Sequence, residues 1–191
     1  MDLVDRIETT RFLGNEFLTF LWFKVELYEG AFDVGELGRC ELWFDTSLQM
    51  AGWADESEKI TLRGAAPSSS AEASEGLKQG KVPTKAALRL VLNSEEYVFT
   101  LNGKTLGLSG VKIPEVGLEQ LDERFYERMR LLEQLDEVVT TLYDEFLLVR
   151  LSPLWDAELV PALRDWVKGK DTMTTRQYSG LVQRALSQRK K

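Results

Sequence analysis

Imidazole chemistry is excluded at the outset, because none of the 191 residues is histidine. That removes Ser-His-Asp triads, histidine general bases, HExxH zinc sites and Cys2His2 fingers. Catalysis would have to rest on carboxylates, lysine, tyrosine, serine or the single Cys40. Adjacent acids are abundant: Asp55-Glu56, Glu95-Glu96, Asp122-Glu123, Asp136-Glu137 and Asp144-Glu145. On or beside helices such pairs read as solvated faces. A metal-dependent nuclease needs carboxylates converging on Mg2+ with a lysine nearby, and the nearest local run, Glu56-Ser57-Glu58-Lys59, lacks the strand spacing for it. Cys40 falls in an expected strand with no base to activate it, which reads as a buried structural thiol. Gly103, Gly107 and Gly110 carry no Gly-Lys-Ser/Thr ending, so they form no phosphate-cradling loop. The chain reads as a non-enzyme, with no catalytic residue, metal site or cofactor expected.

The cations carry more information. Net charge is −7, but from Lys168 onward seven cations stand against Asp171 alone, a net of +6 that leaves about −13 on the first 167 residues. A basic arm on an acidic body is the main electrostatic feature. Within the body, Lys59 and Arg63 lie four apart on one expected strand and should share a face. Lys78, Lys81 and Lys85 come next, across the adjacent loop. If that loop folds beside the strand, these cations converge and suit phosphate contact without base readout. Arg176, Arg184, Arg189, Lys190 and Lys191 of the arm would add auxiliary phosphate contacts. Scattered solubility charge is the competing reading.

Periodicity indicates the elements that must position these residues. Asp2 to Tyr28 reads as a helix with a broad apolar surface, carrying Trp22 in its polar row. Arg39–Phe44 and Leu48–Trp53 read as a hairpin about Asp45-Thr46-Ser47, and Glu58–Arg63 as a further strand. A short helix capped by Ser70 or a neighbouring serine runs to about Lys78, followed by strands at Ala86–Leu92 and Tyr97–Leu101. Asn102-Gly103 signals a type I′ turn into a strand at Lys104–Leu108. From Leu118 the period changes to steps of three and four, through Leu121, Phe125, Arg128, Leu132, Leu135, Val139, Leu142, Phe146 and Val149. Packing against the sheet and first helix is one use of this stripe. The other is an intermolecular contact in which Trp22, Arg128, Leu132 and Leu135 face a second chain. Ser152-Pro153 restarts the helical pattern, and Thr174-Thr-Arg-Gln177 has the form of a capping box before the last helix.

The expected fold is α+β, an antiparallel sheet of about five or six strands packed with a long N-terminal helix and long C-terminal helices. Residues 1–167 form the α+β domain and 168–191 a basic C-terminal helix and tail. The longest apolar run, Phe17 to Phe23, is far too short to cross a bilayer, so no membrane contact is expected. With no export signal and one cysteine, the chain is expected to be cytoplasmic.

Three blocks resemble the RdgC family of recombination-associated proteins: Arg11-Phe-Leu-Gly-Asn-Glu-Phe-Leu-Thr-Phe-Leu-Trp-Phe23, Gly80-Lys-Val-Pro-Thr-Lys-Ala-Ala-Leu88, and Phe125 through Trp166 with Asp144-Glu-Phe-Leu. The resemblance covers roughly residues 10 to 167 and makes residues 1–167 an RdgC-like domain. It implies a non-enzymatic protein whose ring-shaped dimer encloses duplex DNA with little sequence preference, restrains the strand-exchange recombinase and is associated with the nucleoid. Arg63, Lys81 and Lys85 match basic positions of that family. Family members commonly carry a further N-terminal half, so the resemblance also implies a separate polypeptide supplying it, or a reduced homodimer. The expected function is sequence-independent DNA binding in recombination or replication. The alternative is a protein-interaction module using the heptad-like helix and the Trp22 surface, with no direct DNA role.

Overall fold

Strands whose side chains alternate between apolar and polar can bury one face and leave the other to water. The computed structural model, which describes residues 13–52 and 58–189, conforms to that rule. Helix α1 (Leu13–Leu27) precedes strands β1 (Ala31–Asp33), β2 (Arg39–Gly52) and β3 (Ile60–Arg63). Helix α2 (Ala71–Lys78) leads to β4 (Lys81–Leu92), β5 (Glu95–Asn102) and β6 (Leu108–Lys112). Helices α3 (Leu121–Arg150), α4 (Val160–Val167) and α5 (Thr175–Arg189) complete the chain. The six strands make one antiparallel sheet in the order β1-β2-β4-β5-β6, with β3 paired to the opposite end of β2 from β1. The fold is the α+β arrangement expected, with helices at both ends of the chain.

Cys40, Leu42, Phe44, Leu48 and Met50 of β2 point inward with Leu88, Leu90 and Leu92 of β4 and Tyr97, Phe99 and Leu101 of β5. Helix α1 covers this face. Phe17, Leu18, Phe20, Leu21, Trp22 and Phe23 are all buried, and so are Glu16, Thr19 and Lys24, so α1 runs inside the core with water on no side of this stretch. Trp22 meets Phe44 of β2, while Phe17 and Phe20 meet Phe146 of α3, and Phe20 also meets Tyr178 of α5. The layers therefore run sheet, α1, then α3 with α5.

Three expectations need correction. Arg39–Gly52 is one continuous strand rather than a hairpin. Asp45-Thr46-Ser47 is absorbed as an irregularity against β4, between the Phe44–Leu88 and Leu48–Ala86 pairs, while Ser47 pairs with Arg63 of β3. The tight turn with positive φ falls at Asn93 (53°) and Ser94 (67°), not at Asn102-Gly103. Asn102 instead accepts the Lys104 and Thr105 amides on its side-chain oxygen, and β6 starts only at Leu108. On α3 the buried stripe is Leu131, Leu135, Val138, Leu142, Phe146 and Val149, one residue out of step with the expected stripe at Leu132 and Val139. The start of the first helix at Asp2 and the Trp53 end of the second strand lie outside the described residues, as do Lys190 and Lys191.

Candidate nucleic-acid interface

The outer face of the sheet carries no helix among the described residues, and its side chains are set by register. Arg63 stands opposite Ser47, and one pair along, Thr61, Gln49, Lys85 and Asn102 form a continuous row across β3, β2, β4 and β5. A parallel row runs Trp43, Arg89, Val98 and Lys112. Arg63, Lys85 and Lys112 are exposed, and none enters an ion pair among the described residues. Arg63 and Lys85 flank β2 on either side, about 10 Å apart across the strands. Lys59 precedes β3 and by alternation falls on the side of Thr61 and Arg63. Arg89 is engaged, 3.2 Å from Asp45 and 3.6 Å from Glu96. The indole of Trp43 beside it is 37% exposed, the one tryptophan among the described residues left on a surface.

Lys81 does not join this cluster. Gln49 pairs with Lys85 but Met50 pairs with Pro83, leaving Thr84 as an extra residue. Such a bulge re-aims the side chains on either side of it. Lys81, opposite Gly52, is thereby placed on the Met50 side of the strand, where its Nζ meets the Glu58 carboxylate at 3.3 Å and the Glu58 carbonyl at 3.2 Å. Lys81 and Lys85 were expected to converge from the loop beside β3; both lie in β4, and the extra residue separates them.

The basic arm lies in the helical layer. Helix α5 packs on α3 through Tyr178, Leu181 and Ala185, away from the open sheet face. Arg184 is held by a two-pronged contact to Glu158, both bonds 2.6 Å. Arg176 and Arg189 are exposed on α5. The arm's described cations and the sheet's cations therefore occupy different sides of the molecule.

The expected interface residues divide as well. Trp22 is 1% exposed inside its own chain, edge-on to Trp166 at 5.6 Å and hydrogen-bonded to Glu26, so it is not available to a second subunit. Trp166 donates to the other oxygen of the same carboxylate, which explains how an indole in a polar row is satisfied internally. Leu135 is also buried in the core. Leu132 and Arg128 are on the surface, at the projecting end of α3.

A buried ion pair is structural in its geometry. Lys24, 3% exposed, places Nζ at 2.6 and 2.7 Å from the two Glu145 oxygens, and Tyr178 donates its hydroxyl to Glu145 at 2.5 Å. Burial and the Glu145 charge push the Tyr178 hydroxyl well above its ordinary value, keeping it a donor. Every member faces another, so α1, α3 and α5 are tied together. Burial pushes the Cys40 thiol up to about 11, which leaves it un-ionised at neutral pH. Among the described residues no group of three or more Cys, Asp or Glu could hold a metal ion, and no helix is long and apolar enough to cross a membrane.

Trp43, Gln49, Thr61 and Lys112 were not singled out in the sequence. The signal was present: Trp43, Ser47 and Gln49 share one parity along β2 and face outward, a parity lost when the strand is split at Asp45. The chain matches no protein-family model, no curated protein and no solved structure.

Proposed function

We propose that the open sheet face binds the sugar-phosphate backbone of duplex DNA without reading its sequence. The observation that carries this reading is the placement of Arg63 and Lys85, exposed and not ion-paired among the described residues, on the same uncovered face. Register-fixed guanidinium and ammonium groups position a phosphate chain, and Gln49, Thr61 and Asn102 between and beside them supply neutral hydrogen-bonding groups. No element among the described residues is placed as a recognition helix for a major groove, so discrimination among sequences is not expected. The resemblance of three blocks to the RdgC family supports a role for this binding in recombination or replication, without catalysis.

The test is affinity for random-sequence duplex across a salt series. Each phosphate contact contributes roughly 0.9 to the slope of log affinity against log salt, so Arg63→Glu with Lys85→Glu should flatten the slope by about 2. Absence of binding at low ionic strength, or an unchanged slope in the double variant, contradicts the reading.

A further inference from the structure

The first ten residues of α3 contain no buried side chain, although they include some of the largest apolar groups in the chain. Leu121 is 78% exposed, Phe125 60% and Tyr126 71%, with Met129 and Leu132 also open to water. Leu121, Phe125, Met129 and Leu132 succeed one another at steps of four, four and three, and so form one stripe. Leu132 is one residue from Leu131, the first side chain of the buried face, so the stripe is turned about 100° from the core. Aromatic side chains present ~150–250 Å² each, and a contiguous patch of several hundred Å² on a soluble chain marks an interaction surface. The end is held in place. Arg130 joins Glu127, Gln134 and Glu95 at the start of β5, and Arg124 binds the Leu118 carbonyl that leads into the helix.

Charge defines what fits. Glu133 and Asp136 lie four and seven residues beyond Met129 and line the outward flank of the stripe, with Glu137 beyond them. Together with Leu132 and Thr140 they line a shallow, open groove along α3. All three carboxylates are exposed and not ion-paired among the described residues. Two copies of this chain meeting antiparallel about a twofold axis on the stripe would set that acidic flank against the exposed acids at the start of α3, Glu119, Asp122 and Glu123. We infer that the stripe and groove form a docking site for a basic amphipathic helix of a different polypeptide. Its apolar face covers Phe125, Met129 and Leu132, and its lysines or arginines meet Glu133, Asp136 and Glu137. This surface is separate from the open sheet face and does not depend on DNA binding.

The full chain should be titrated with a fluorescent helical peptide of leucines and lysines about five turns long, and with its twin in which glutamate replaces every lysine. At about 0.15 M salt, anisotropy should show saturable binding of the lysine peptide and affinity at least about tenfold weaker for the glutamate twin. Phe125→Asp should weaken the lysine peptide about tenfold even though it adds negative charge, which separates docking from general attraction to an acidic body. Glu133→Lys with Asp136→Lys should invert the preference between the peptides. Circular dichroism serves as the folding control for these exposed positions. The inference is overturned if the lysine peptide does not saturate, if Phe125→Asp leaves or strengthens its binding, or if the double reversal keeps the original preference. It is equally overturned if sedimentation shows a homodimer that Phe125→Asp dissociates.

Discussion

The outer face of the sheet and the projecting end of α3 are both left to water by the same core, yet they present opposite chemistry. On the sheet, a period of two sends Leu48 and Met50 inward and Ser47 and Gln49 outward, so Arg63 and Lys85 are placed by register. On α3, a period of 3.6 carries the core stripe from Val149 back to Leu131, where the body ends and the helix continues. The sheet face is polar, with cations exposed; the helix end is apolar, with acids along one flank. The lesson is that net charge, −7 for the chain, predicts the behaviour of neither region. What matters is which side chains the two periodicities bring to one surface.

The largest effect should come from removing the support that both surfaces share. Lys24 is buried against Glu145, and truncating one partner of such a pair leaves an uncompensated charge in a low-dielectric site. Lys24→Ala should cost about 3–5 kcal/mol in urea denaturation, and near its midpoint DNA and peptide binding should fail together. A smaller loss should accompany alkaline pH. Cys40 is raised by burial from 9.0 to about 11, and Tyr178 well above 10, also chiefly by burial. The unfolded chain therefore releases these protons at lower pH than the folded one. Stability is full below the ordinary values and falls as pH rises above about 9, so the urea midpoint should decline from pH 9 to 11. Cys40→Ser should remove part of that decline.

The smallest effects sharpen the contrast. Phe125→Asp should change stability by no more than about 0.5 kcal/mol, because its side chain packs no core, and should leave duplex affinity within about twofold. A loss of DNA affinity in that variant would merge the two regions into one site.

The sequence made part of this legible. The Ser70 cap bonds the Ala73 amide at 3.1 Å, and Thr174 and Gln177 bond reciprocally at 2.7 and 3.3 Å, because capping chemistry is local. The strands expected at Glu58–Arg63 and Tyr97–Leu101 are found at Ile60–Arg63 and Glu95–Asn102. What escaped depends on partners far along the chain. Asp45-Thr46-Ser47 has turn composition, but β3 and β4 on either side hold it extended, and Arg89 binds Asp45. That another element covers Trp22 was one of the two readings open in the sequence; which element does so was not, because Glu26 and the sequence-distant Trp166 complete its environment. Lys81 leaves the cationic face because one extra residue at Thr84 breaks the parity, an event with no composition of its own. Of the proposed site, Arg63 was legible from strand alternation and Lys85 only as a cation of the adjacent loop, while their neighbours Gln49 and Trp43 required the unbroken β2.

The central claim is that phosphates land on the sheet rather than on the basic α5. Backbone amide chemical shifts tracked during titration with a short random duplex test it most directly. The largest changes should fall at Thr61–Arg63, Ser47–Gln49 and Thr84–Ala86, with Arg176–Arg189 undisturbed. Changes concentrated on α5 with a silent β3 and β4 would contradict it.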